Sequence, residues 1–258
     1  MGWEEAGEAW GYRAKDWAYL MEPLFTDVYA RLREATGMSA RSRVLDMACG
    51  AGSGLATYER AGATVSGVDA SRQLLAIAAA RVPSADLRHQ SMTSLPWDDD
   101  SFDVVTGVNA FVYADDGALA ESRRVLSPGG LLAIGFFRDP GDIGPCMGEL
   151  GAALEGLVDD EDTHTPLKMA DPDVTRTLLE RAGFELTGGG DVTAVVEFAD
   201  LDSAYRGLAS TGNMYPVTEA GREPALRERC EPLIASLWDE ELGVRMRATF
   251  GWVTARAA

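Results

Sequence analysis

Histidine, cysteine and lysine are scarce in this chain of 258 residues, which holds two histidines, three cysteines and two lysines. Cys49, Cys146 and Cys230 are odd in number and far apart, so they supply neither metal-ligand spacing nor a disulfide framework. Imidazole chemistry is confined to His89 and His164. Positive charge is also short: 23 Lys and Arg face 41 Asp and Glu, for a net charge of −18. Such a field repels nucleic acid and anionic membrane surfaces. The arginines of the C-terminal fifth (Arg222, Arg227, Arg229, Arg245, Arg247, Arg256) alternate with acids and suit solvated helix faces better than a basic patch. No apolar run approaches the length of a membrane span. The start, Met1-Gly2-Trp3-Glu4-Glu5, is acidic and lacks the basic and apolar regions of a signal peptide. These absences predict a cytoplasmic protein with no nucleic-acid or membrane partner.

What is present begins with an ordinary apolar fraction, 46%, enough for a full core. The organising stretch is Val44-Leu45-Asp46-Met47-Ala48-Cys49-Gly50-Ala51-Gly52-Ser53-Gly54. An apolar run ends, three glycines follow at alternate positions, and a helix-compatible segment begins. That is strand, tight turn, helix, the first unit of an open parallel α/β sheet. Glycine permits positive φ and lets a ligand lie on the backbone. A second apolar run, Thr64–Val68, ends at Asp69, 19 positions after Gly50, where nucleoside-binding folds place the carboxylate that grips ribose hydroxyls. Asp46 opposes a pyrophosphate reading, because like charges repel, and Leu55 stands where a dinucleotide fingerprint has its third glycine. A ligand with a ribose and positive charge but no phosphate fits S-adenosyl-L-methionine, with its sulfonium and ammonium.

Val44–Gly54, Gly67–Ser71, Leu95–Val105 and Arg123–Leu132 resemble the successive motifs of class I S-adenosylmethionine-dependent methyltransferases. The resemblance is to the small-molecule branch, similar to the ubiquinone/menaquinone-biosynthesis enzymes, and covers roughly residues 40–137 with specific motifs. It implies an α/β fold: a Rossmann-like, seven-stranded, mostly parallel sheet with helices on both faces and a helical cap over the substrate site. The expected organisation is a single domain over 1–258, with 1–40 as N-terminal helical cover and 41–137 as cofactor-binding core. Segments 138–170 and 199–240 then form the substrate cap, and 171–198 with 241–258 end the sheet. The implied cofactor residues are Gly50 and Gly52 beneath methionine and ribose, Asp46 near the ammonium, and Asp69 on the ribose diol. Ala70 and Leu74 flank the adenine, and Ser91 and Met92 stand in the adenine loop, where the family usually has an acid. Asn109 lies between cofactor and substrate. From the cover, Trp10, Tyr12, Trp17 and Tyr19 are candidates to close over the methionine part. No metal is expected.

Along the chain, apolar recurrence at three- and four-residue steps predicts helix over 3–37, with a break at Pro23. Strands are predicted at Val44–Ala48, Thr64–Val68, Ala85–His89, Phe102–Val108 and Leu131–Phe137. Helices are predicted at Ser53–Ala61, Arg72–Arg81, Gly117–Leu126, Met147–Val158, Asp173–Ala182, Asp202–Ser210 and Glu219–Leu237. Phe184–Glu197, interrupted by Gly188-Gly189-Gly190, is expected as two strand pieces around a bulge or turn. Arg245–Arg256 is the last strand, by resemblance antiparallel at the sheet edge.

Methyl transfer displaces a leaving group from an already activated carbon, so alignment is the main task and a base is optional. His164, in the proposed substrate cover, is the candidate base; Tyr12, Tyr215 and Glu22 are the alternatives. The expected substrate is a small enclosed molecule of the specialised-metabolite kind, methylated on oxygen, nitrogen or carbon by a monomer or homodimer. Two rivals stand beside this reading: a protein of the same fold that binds the cofactor without transferring methyl (cyclase-type or regulatory), and a nicotinamide oxidoreductase.

Overall fold

The structure is a computed structural model that describes residues 2–111, 116–138, 157 and 172–257. The chain opens with helix α1 (Trp3–Gly11), one turn α2 (Ala14–Asp16), a π-helical turn (Trp17–Met21), a 3₁₀ turn (Glu22–Phe25) and α3 (Thr26–Thr36). Then come β1 (Arg43–Met47), α4 (Ser53–Glu59), β2 (Thr64–Asp69), α5 (Arg72–Arg81), β3 (Asp86–His89), β4 (Phe102–Val108), α6 (Asp116–Val125) and β5 (Leu126–Phe137). After α7 (Pro172–Arg181) and β6 (Phe184–Phe198) follow three helices: α8 (Leu201–Ala209), α9 (Tyr215–Glu219) and α10 (Glu223–Ala235). A two-residue β7 (Trp238–Asp239) and the long β8 (Gly243–Ala257) complete the described chain.

One sheet runs β3-β2-β1-β4-β5-β8-β6, with β7 attached to β8. Neighbours from β3 to β5 pair in parallel, whereas β8 is antiparallel to both β5 and β6. The doubly wound Rossmann-like fold is therefore present, with one reversed strand. Strand order turns back at β1, so the ends of β1, β2 and β4 form a crevice at the switch point.

Alternation along the strands builds two cores. Val44, Val65 and Val104 face α3, α4, α5 and the 201–235 helices. Leu45, Met47, Val105, Leu132 and Ile134 face α6 and α7. Strands buried on both faces explain why β1 and β4 have near-continuous apolar sequences. Helix α5 starts where Ser71 Oγ accepts from the Leu74 N–H, and α3 ends at Gly37 with φ 63°.

Five expectations need correction. The helical segment over 3–37 starts a new turn at Pro23 as expected, but it is five pieces, because Arg13 also leaves the helical region and a π-helical turn follows. The run Ser127-Pro128-Gly129-Gly130 does not stand between helix and strand; it is the irregular start of β5, where Leu126 pairs with Phe102 and the register shifts. The segment after Gly183 is one strand, with a register shift between Leu186 and Gly188. Its glycines leave room for the Trp252 ring, since a Cβ on Gly190 would lie 3.3 Å from Trp252 Nε1. The last strand is not at the edge: β8 lies between β5 and β6, and its mostly buried residues pack on both faces while β6 takes the edge. The Glu219–Leu237 helix is also divided, at Gly221 with φ 70°. The helix expected at Met147–Val158 lies outside the described residues except for Leu157.

The central strands carry the stability of the site above them. Ile134 is 1% exposed in β5. Ile134→Ala is expected to cost about 2–5 kcal/mol in urea unfolding. A cost below about 1 kcal/mol would mean that β5 is not part of a close-packed core.

Candidate functional site

The turn after β1 takes three left-handed residues, Ala48 at φ 53°, Gly50 at 55° and Gly52 at 84°. Ala48 has a Cβ in a conformation that disfavours one, a local strain typical of ligand-holding turns. Each glycine serves a different neighbour. A Cβ on Gly52 would meet Ala78 of α5 at 3.0 Å, so this glycine brings α4 and α5 together. A Cβ on Gly54 would lie 2.6 Å from Asp46 Oδ2 and 2.9 Å from Tyr29, so α4 rests directly on that carboxylate. Gly50 faces the crevice: its Cβ would stand 3.2 Å from Glu22 Oε1 and 3.6 Å from Trp17 Nε1. Cys49 is 1% exposed and fills the notch at Gly67; burial raises its thiol pKa well above normal, so packing explains it and thiol chemistry does not.

Asp69 ties the end of β2 to this turn. Its Oδ2 accepts from the Gly50 N–H and its Oδ1 from the Ser71 N–H, each at 2.8 Å. Each oxygen retains a further lone pair for a ribose hydroxyl. Burial raises the Asp69 pKa, and the two backbone donors pull it back. Asp46 lies below the turn, 2% exposed, with Thr106 Oγ1 donating to its Oδ1 at 2.6 Å. Desolvation pushes its pKa up to about 7; the Thr106 hydrogen bond opposes this, while the charges of Glu22 and Asp69 add to it.

Glu22 is the third acid. The sequence places it only among spare bases, but its carboxylate is 1% exposed and lies on the turn. Oε1 accepts from the Ala51 N–H at 3.0 Å, and Oε2 pairs with Arg81 Nη1. Burial raises its pKa, and the Arg81 hydrogen bond opposes that. Arg81, the last residue of α5, also donates to Ser53 Oγ and to Ala18 O. Sequence reading missed it; the available signal was an arginine closing an otherwise alanine- and leucine-rich helix. Among the described residues, Glu22, Asp46 and Asp69 are the buried carboxylates. They surround one turn with one guanidinium paired to them, leaving the crevice electrostatically suited to a cation.

The other predicted residues fall into two groups. Brought to the crevice are Trp17, Ala70 and Leu74. Leu74 packs with Ala51, Ala14 and Ala18, and Trp10 meets the Trp17 ring edge-on at 4.9 Å. Ala70 O accepts from His89 Nε2 at 2.8 Å and lies directly under Gly7 of α1; Trp3 leans on the His89 ring. His89 thus braces this edge. Asn109 is at the end of β4, with φ 52° and Oδ1 accepting from the Phe137 N–H, so it clamps β4 to β5. Ser91 lies past β3, where its hydroxyl is 2.8 Å from that of Thr93, and Met92 packs on the α6 core. Tyr12 is turned elsewhere: its hydroxyl donates to Ala209 O and its ring meets Tyr215, because Arg13 redirects the chain toward α8 and α9. Tyr19 is 67% exposed. His164 lies outside the described residues. An open groove of about 780 Å³, lined by Arg123, Pro128 and Arg181, lies at the opposite end of the strands and takes no part in this site. No metal-binding group of His, Cys, Asp and Glu and no helix long and apolar enough to cross a membrane occur among the described residues.

Residues 45–134 match the family model described as a methyltransferase domain. "Methyltransferase GfsG" of Streptomyces halstedii is 33% identical over 172 residues, 63% of this chain and 60% of that protein. The demethylmenaquinone methyltransferase of Renibacterium salmoninarum is 38% identical over 110 residues, 42% of this chain and 46% of its own length. The chain therefore spans about half to three-fifths of these curated relatives. The crystal structure of a putative methyltransferase from Bacillus halodurans C-125 superimposes with a TM-score of 0.60 at 19% identity, covering 90% of this chain and 99% of that one, which supports the fold. The turn, the Asp69 tie and nearly all of the strands that carry them fall inside residues 45–134, the segment that matches the methyltransferase-domain model.

Proposed function

We propose that the protein transfers a methyl group from S-adenosyl-L-methionine to oxygen, nitrogen or carbon of a small molecule. The observation that carries this reading is the charge of the crevice: three buried carboxylates, one paired guanidinium, and a positive-φ turn with Gly50 facing in. A phosphate-bearing nucleotide would be repelled there, whereas a cationic nucleoside is favoured. The residues fit the group. Asp69 would hold the ribose hydroxyls, the Gly50 backbone would lie beneath the ligand, and Asp46 would supply negative potential from below. The cofactor supplies an activated methyl on a sulfonium; the chain's part is to align it and keep water out. Trp3, Gly7 and Gly11 of α1, lying over His89, Ala70 and Ser71, supply the exclusion.

The substrate cap is proposed to include α8–α10, held to the cover by Arg13–Glu223 and Arg206–Asp16 ion pairs. The same reading makes His164 the base where the acceptor is a hydroxyl, in a cytoplasmic enzyme that acts as monomer or homodimer and has no nucleic-acid partner. His164→Ala would then lower turnover about 10²–10⁴-fold without changing cofactor affinity. Turnover within a few-fold of the parent would remove His164 from the mechanism.

Calorimetry in the presence of chelator should show S-adenosylmethionine binding, and Asp69→Ala should lose about 1.5–3 kcal/mol of it. A cation entering above Asp46 stabilises its ionised form and lowers its pKa from about 7. Binding near neutral pH should therefore release protons, seen as an enthalpy that varies with the buffer's ionisation heat. Unaltered affinity in the Asp69 variant, or proton uptake, would contradict the assignment.

A further inference from the structure

The crevice facing Gly50 is walled by Glu22 and Trp17, from the segment that precedes the first strand. Neither belongs to the glycine turn or to the acid at the end of β2. Glu22 Oε1 is 3.0 Å from the Ala51 N–H and would be 3.2 Å from a Gly50 Cβ, so it sits over the Gly50 face of the turn. Oε2 is committed to Arg81, which fixes the rotation of the carboxylate. Backbone N–H groups of Ala51 and Ser53 act on the carboxylate as well as Arg81, and Oε1 is the oxygen nearest Gly50. Trp17 Nε1 is also directed here, with no hydrogen bond to the described residues. Asp69 is at the other side of Gly50, at the ribose, and Asp46 is under α4 with its Oδ2 against Gly54. Of the three acids, Glu22 is the one placed at the Gly50 face of the turn, away from Asp69.

We infer that Glu22 is the residue that reads the ammonium of the cofactor's amino-acid end through Oε1, the oxygen that faces Gly50, while Arg81 and the backbone N–H groups of the turn hold the carboxylate in place for it. The inference rests on the proposed cofactor. It divides the crevice: Asp69 for the ribose, Glu22 for the amino group, with the sulfonium between them. It also couples closure of the cover to the ligand, because the group that meets the ammonium is carried on the cover itself.

A purely structural Glu22 would latch residues 17–25 to the turn and affect every ligand alike. The test is therefore a ratio. The intact protein and Glu22→Gln are titrated calorimetrically with S-adenosylhomocysteine and with its deaminated analogue, which lacks only the ammonium. The parent should prefer the amino form by about 10- to 100-fold, the range of a hydrogen bond to a charged group. Glu22→Gln should lose that preference and bind the deaminated analogue as the parent does. Equal weakening of both ligands would make Glu22 a latch and overturn the inference. A preserved preference would place the ammonium elsewhere and overturn it too. If the parent binds neither ligand, the cofactor reading itself fails; if it binds both and only the ratio is wrong, the failure is confined to Glu22. Should Glu22→Gln not fold, Glu22→Asp replaces it: the charge stays, the carboxylate is withdrawn by one methylene, and the preference should fall.

Discussion

The carboxylate of Asp69 is the tie on which the upper edge of the sheet depends. It receives the N–H of Gly50 from one side and of Ser71 from the other, joining the turn after β1 to the start of α5. Once the tie is made, the turn has little freedom: Gly52 brings α4 against Ala78 of α5, and Gly54 lowers α4 onto Asp46. The arrangement buries negative charge with little compensation. Burial raises all three carboxyl pKa values because their charges are desolvated, and at Asp46, pushed up to about 7, the charges of Glu22 and Asp69 add to it. A fold tolerates such an unfavourable cluster where a ligand settles it, and a cation does so most directly.

The cover is built on the same economy. Gly7 and Gly11 let α1 approach Ala70 and Ser71 closely, where a side chain would collide. The π-helical turn at Trp17–Met21 then offsets the chain so that Glu22 enters the crevice while Leu24 and Phe25 go to the core. Irregular helix of this kind often marks positions fixed by a function more than by helix propensity. From there Tyr12, Arg13 and Asp16 reach the other way, to Ala209, Glu223 and Arg206. The N-terminal segment thus links the turn to the 201–235 helices.

Much of this was legible in the sequence because the parallel strands are short, apolar and punctuated. Val44–Asp46, Thr64–Asp69 and Phe102–Val108 announce themselves by composition, and Asp69 by its distance from Gly50. What was not legible depends on tertiary contacts. Apolar spacing over 3–37 is helical throughout, yet Arg13 leaves the helical region, and Gly11 lets α1 lie close against Ser71. Gly188–Gly190 suggest an interruption by propensity, but in the fold they make room for Trp252 within one strand. Glu22 carries no motif around it; it is an acid within Leu20-Met21-Glu22-Pro23-Leu24-Phe25, and only burial reveals that it faces the glycine turn. Gly52 was expected beneath the ligand, and the structure gives it a packing duty against α5.

The central claim is that the crevice at Gly50 receives a cationic nucleoside between Asp69 and the N-terminal cover. A crystal structure grown with S-adenosylhomocysteine tests it most directly. The account predicts ligand density along the turn, with the ribose hydroxyls on the Asp69 carboxylate and the amino-acid end toward Glu22 and Trp17. Density at another edge of the sheet, or a crevice still filled by the cover with no ligand at saturating concentration, would contradict it.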